Sequence, residues 1–143
     1  MKNTISIVKI FLLSIMVIFI GCEKDEEVSE RFTFLTENTW ISDSLLINGE
    51  DASGPGQLLE DFKGQADFKE DGTGTFGNYE GTWRFANGEK ELVILSDSLP
   101  VPQLSTSIVE LTQESLKITT SFPNLVDPMN PILQIRLTFK SQQ

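Results

Sequence analysis

Between Asn48 and Gly88 the chain runs through four turn dipeptides, Asn48-Gly49, Asp71-Gly72, Gly77-Asn78 and Asn87-Gly88, with short alternating segments between most of them. Asn, Asp and Gly tolerate the positive φ that a tight hairpin demands, so Asp-Gly or Asn-Gly between alternating runs is a strong short-range hairpin signal. Connections this short cannot hold a helical crossover, so neighbouring strands must be antiparallel. The segments are Ala66–Lys69, Thr73–Phe76, Glu80–Ala86 and Glu91–Leu95. In Glu80–Ala86, Trp83 and Phe85 share a face and Arg84 takes the other. The last segment, 133–140, alternates most cleanly: Leu133, Ile135, Leu137 and Phe139 against Gln134, Arg136, Thr138 and Lys140. That is a strand with one buried and one wet face.

Three further strands are predicted. Trp40–Ile47 is β-rich, but its apolar residues divide between both faces. Thr106–Leu111 places Val109 and Leu111 together, opposite Glu110. Leu116–Thr120 places Leu116 and Ile118 opposite Lys117. A short helical turn over Phe32–Thr36 leads into the first strand. Three longer connections remain. In 50–64, Gln57–Lys63 has the spacing for two helical turns, as a lid or plug on one end or as an irregular loop tucked against the core. Segment 96–105 carries Pro100 and Pro102. Segment 122–132 carries Pro123, Pro128 and Pro131, lies outside regular strand, and is expected to fold its apolar Phe122, Leu125, Val126, Met129 and Ile132 back over the end. Eight short strands with one apolar face must bury it, against a second sheet or by closure. The expected fold is all-β: an antiparallel up-and-down barrel or half-barrel of eight strands over 32–143.

The amino terminus reads differently. Lys2 and Lys9 flank a start without acids, and the apolar run Ile10–Ile20 follows, broken by Ser14. A span needs about 20 apolar residues, so this run is a signal segment by length, not a stable crossing helix. Phe19-Ile20-Gly21-Cys22 resembles the lipobox of bacterial lipoproteins. Gly21 and Cys22 match that pattern and Phe19 departs from it. The resemblance implies a signal peptide over 1–21, cleavage between Gly21 and Cys22, and acylation of the Cys22 thiol. Lys24, Asp25 and Glu26 resemble the surface-export signal of Bacteroidetes lipoproteins, within an acidic tether over 22–31. An outer-membrane lipoprotein, at the cell surface or else facing the periplasm, is the implied location.

Composition narrows the chemistry. Without residues 1–21 the chain keeps 9 basic against 21 acidic side chains, a formal charge of −12. Such a surface repels phosphate backbones, so no nucleic-acid partner is expected. Histidine is absent and Cys22 is the sole cysteine. That excludes Ser-His-Asp and Cys-His catalysis, Cys/His zinc sites and an internal disulfide. Glu60/Asp61, Glu70/Asp71 and Glu89/Glu91 are carboxylate pairs at turns, where solvation is the ordinary role. Asp71-Gly72-Thr73-Gly74 lacks the alternating acids of a calcium loop. No enzyme activity, cofactor or metal is expected.

The order of motifs resembles the lipocalin-like domain of small Bacteroidetes lipoproteins. The matching residues are Trp40, Phe68-Lys69-Glu70-Asp71-Gly72-Thr73-Gly74, Gly81-Thr82-Trp83-Arg84-Phe85, Leu111-Thr112 to Leu116, and Phe139-Lys140. They span roughly 36–140. The resemblance implies an eight-stranded up-and-down barrel and no single ligand. A barrel of eight strands either fills with side chains or holds one small ligand. Trp40, Phe68, Trp83, Phe85, Leu116, Ile118 and Phe139 are the candidates for a ligand-lining wall or a filled core. A small apolar ligand is one expectation. A filled barrel that docks protein or glycan through its loops, or inhibits an enzyme, is the other.

Overall fold

The computed structural model describes residues 27–125 and 127–142. The segment 1–21, the cleavage site Gly21/Cys22 and the export residues Lys24, Asp25 and Glu26 lie outside these residues.

A helix α1 (Glu30–Thr36) precedes nine strands: β1 (Thr39–Ile47), β2 (Glu50–Asp51), β3 (Gln65–Phe68), β4 (Thr73–Phe76), β5 (Tyr79–Ala86), β6 (Glu91–Leu95), β7 (Gln103–Leu111), β8 (Ser115–Pro123) and β9 (Ile132–Gln142). Every pairing is antiparallel and between sequence neighbours, except that β1 pairs with β3 and also with β9. The β1–β9 ladder, from Thr39↔Gln142 to Ile47↔Ile135, closes the barrel. Eight strands form the wall. The two-residue β2 returns on β1 across Asn48-Gly49, both at positive φ. The barrel is therefore fully closed, with eight wall strands as expected.

Two bulges correct the simple alternation. In β1 the register shifts between Ser42 and Ser44, leaving Asp43 as an extra residue. Trp40 and Leu45 lie five positions apart, yet both point inward and are buried. The bulge resolves the mixed pattern of that strand, because one added residue reverses which face the next side chain meets. In β7 the shift between Ile108 and Glu110 makes Val109 the extra residue. Val109 is 64% exposed while Leu111 is buried, so the two do not share a face.

Three boundaries also differ. Helix α1 starts at Glu30, so residues 30 and 31 belong to the folded unit and not to the tether. Ser29 is the reason: its hydroxyl caps the helix by accepting from the Phe32 N–H at 3.0 Å and donates to Glu89 at 2.6 Å. The two-turn helix over 57–63 is instead a single 3₁₀ turn, Glu60–Phe62. Gly56 sits at φ +75°, and so short a segment cannot offset the cost of helix nucleation. Strands β8 and β9 run on to pair Pro123 with Ile132, so the 122–132 connection is shorter than its prolines imply.

Because the barrel is up-and-down, successive connections alternate between its ends. The β3–β4, β5–β6 and β7–β8 turns share one end with α1. The β1–β3, β4–β5, β6–β7 and β8–β9 connections share the other. At the α1 end, Phe32 stacks 5.7 Å from Trp83, which meets Phe68 at 5.7 Å and Phe85 at 5.5 Å, both edge-on. Phe68 also packs 5.2 Å from Phe76. These rings fill that end and close it.

Candidate functional site

The opposite end is not filled. A cavity of about 540 Å³ opens there, lined by Leu104 of β7, Thr120 and Phe122 of β8, and Leu133, Ile135 and Leu137 of β9. Leu58, Leu59 and Phe62 of the 3₁₀ loop, Leu99–Val101, and Leu125 complete its rim. Its volume lies within the range of small-molecule sites.

The cavity exists because the two ends use different side chains. The floor spends large rings from α1, β3, β4 and β5. Apart from Phe122, the upper wall of β7–β9 carries Leu, Ile and Thr, which reach less far across the lumen. Leu59 and Phe62 are buried, and Phe62 is held by Tyr79 at 4.8 Å between ring centroids. The Tyr79 hydroxyl is raised above its ordinary pKa by burial, and secondarily by the neighbouring Asp61 carboxylate. The main chain ties this loop down as well: Asn78 N–H donates to the Asp61 carbonyl at 2.7 Å, and Gly77 N–H to Gln65 at 2.8 Å. One wall of the opening is thus a packed loop, neither a detached lid nor a plug.

Among the described residues that line the cavity, Thr120 and Asn124 are polar and none is charged. The Thr120 hydroxyl donates to the Ser105 carbonyl at 2.9 Å. Its proton is committed, and it offers the lumen only lone pairs. Of the residues expected to fold back over this end, Val126 lies outside the described residues, and Leu125 and Met129 are not buried by such a fold. Phe122 is half-buried, but Leu125 and Met129 stand 93% and 89% exposed beside the opening. The turn at the tip is set locally, by Asp127 accepting from Met129 N–H and Asn130 Nδ2 at 2.9 and 2.7 Å. Those two bonds hold the Asp127 carboxyl below its ordinary value.

None of the residues singled out for a ligand wall lines this cavity. Phe68, Trp83 and Phe85 form the aromatic floor. Trp40, Leu116, Ile118 and Phe139 are buried in the core around and above it. All seven belong to the core or pack against it. The lining residues of β7–β9 carry no motif. The readable signal is parity: in an up-and-down barrel the long connections 50–64, 96–105 and 122–132 must all lie at one end, and an apolar residue recurs in each.

Among the described residues no group of three or more Asp, Glu or Cys side chains gathers to hold a metal ion. Asp71 accepts from the Thr73 hydroxyl and N–H, and Glu110 pairs with Lys117 at 2.8 Å across the bulge. These carboxylates brace hairpins. No family model matches the chain, and no curated protein matches it in sequence.

Proposed function

We propose that this protein is a lipocalin-like lipoprotein, acylated at Cys22 and held at the outer membrane with its barrel exposed at the cell surface, and that it binds a small apolar ligand. The observation that carries the binding reading is the uncharged cavity of about 540 Å³ at the open end of a barrel whose other end is filled. A site of that kind gains affinity from apolar area removed from water, roughly 25 cal/mol per Å² before the costs of association. The test is titration of the purified protein with the neutral fluorophore Nile red. Stoichiometric uptake, abolished by Leu133→Trp, supports the reading; no uptake by the folded protein overturns it. Placement is tested by mass spectrometry of the mature amino terminus. A diacylglycerol-modified Cys22 supports it, and an unmodified thiol overturns it.

A second reading has its own observation. Leu125, Met129 and Ile132 are exposed together on the β8–β9 hairpin. Apolar side chains in that number on one projecting hairpin suit docking to a protein partner. Cross-linking on intact cells separates the two readings. Loss of a specific partner on deleting 125–130, with Nile red uptake intact, favours docking.

A further inference from the structure

The cavity is blind, and its depth is set on the wall of β8 and β9. On β9 it is lined by Leu133, Ile135 and Leu137 but not by Phe139, and on β8 by Phe122 and Thr120 but not by Ile118. The floor therefore lies at the level of Leu137. Leu137 pairs directly with Ile118 on one side and with Leu45 on the other. Residues opposite one another in a ladder share a face. The three side chains thus form a row across the inner wall, and all are buried. Of this row only Leu137 reaches the cavity. Beneath it, toward the closed end, Phe139 and Leu116 pair in the next layer and are buried in turn.

The step from Leu133 to Leu137 is about 14 Å along an antiparallel strand. Barrel strands tilt by roughly 40°, so the wall is about 10 Å deep along the axis. With carbon–carbon bonds of about 1.5 Å, an extended chain advances about 1.3 Å per carbon, so about eight carbons cover that depth and the rim encloses about two more. That rim includes Leu58, Pro100 and Leu125. A polar head cannot follow the chain inward. The lining holds no charged side chain, and the Thr120 hydroxyl has already given its proton to the Ser105 carbonyl. A head drawn inside would lose its water without gaining matching partners.

We propose that the ligand is a medium-chain amphiphile, its unbranched chain of about ten carbons seated inward and its head in water at the mouth, and that Leu137 is the residue that limits the chain. This rests on the reading of the cavity as a ligand site, and adds the length of the apolar part and the side chain that sets it.

The experiment is a calorimetric titration of the purified protein with hexyl, octyl, decyl, dodecyl and tetradecyl maltoside, each below its micelle concentration, so that the head is constant and uncharged. Affinity should rise about fourfold per added methylene up to decyl and less than about 1.5-fold per methylene beyond it, because carbons that cannot pass the floor stay in water. In Leu137→Ala the break should move to dodecyl, since the truncated side chain leaves space that its neighbours fill only in part. Ile135→Phe, one layer nearer the mouth, should move it to octyl. Leu111→Ala removes the same group at the closed end and should leave the break at decyl. An affinity that climbs steadily through tetradecyl overturns the proposal, and so does a break that neither Leu137→Ala nor Ile135→Phe moves. Both results leave the cavity reading standing where Nile red is taken up. No maltoside binding beside intact Nile red uptake overturns the medium-chain ligand alone, and uptake of neither overturns both.

Discussion

The indole N–H of Trp40 donates to the carbonyl oxygen of Leu35 at 3.1 Å, and both residues are fully buried. Leu35 lies in the last turn of α1, where a helix leaves its carbonyls without partners of its own. The first strand thus satisfies the helix that precedes it, and the two seal the closed end as one piece. Trp40→Phe keeps most of the apolar volume but orphans that carbonyl. It should cost about 1–3 kcal/mol, read from the shift of the urea midpoint.

Leu133 stands at the open end, half-buried, on the lining of the cavity. Leu133→Trp should occupy the lumen from the side. Nile red affinity should fall at least about tenfold while stability moves by less than about 1.5 kcal/mol, since the added ring enters space that is already there. A fall in binding that tracks a fall in stability would mean that the wall itself had been lost.

Gly77 and Gly88 share a backbone conformation, at φ +64° and +63°, but not an environment. A Cβ on Gly77 would press against the Asp61 carbonyl oxygen and the Phe62 backbone, whereas one on Gly88 would meet nothing. Gly88→Ala should therefore cost only the left-handed penalty, about 1–2 kcal/mol. Gly77→Ala should add about 1–3 kcal/mol of overpacking. It should also weaken ligand uptake, because the displaced backbone carries Phe62 on the rim. The difference in urea midpoint between the two variants isolates the contact from the conformation.

The β7 bulge makes a prediction opposite to that of plain alternation. Val109→Thr should be nearly silent, within about 0.5 kcal/mol, as an exposed change is. Leu111→Ala should cost about 2–4 kcal/mol, as a buried truncation does. Equal costs at the two positions would remove the bulge.

Asp71 accepts from both the N–H and the hydroxyl of Thr73, at 2.9 and 2.6 Å, which together hold its carboxyl below the ordinary 3.8. A carboxyl depressed by folding contributes stability above its unfolded pKa and loses it as pH falls through the folded one. The β3–β4 turn should therefore keep its support down to about pH 4 and weaken only below it. An NMR titration of Asp71 should give a value under 3.8, and Thr73→Ala should return it toward that figure.

The barrel was legible in the sequence because its signals are local. Asp71-Gly72 and Asn87-Gly88 mark turns, and Leu133 to Phe139 marks a face, within a few residues each. The bulges at Asp43 and Val109 were not legible. An inserted residue has no signature of its own and shows only as a mixed pattern, as in Trp40–Ile47, or as a misleadingly regular one, as in Thr106–Leu111. The wall of the cavity was hidden for a related reason. Sequence reasoning picks the largest rings, and Phe68, Trp83 and Phe85 are large enough to fill their end. A void is left where side chains are smaller, so Leu104, Ile135 and Leu137 mattered by what they do not reach. The end of the barrel they occupy was recoverable only from the parity of its connections.

Thr39 pairs with Gln142, so both ends of the folded unit leave the barrel beside the helix. Whatever holds this domain by either terminus, a surface, a fusion partner or a biosensor chip, grips it by its base like the stem of a cup. The open end then points toward the surroundings, away from the point of attachment.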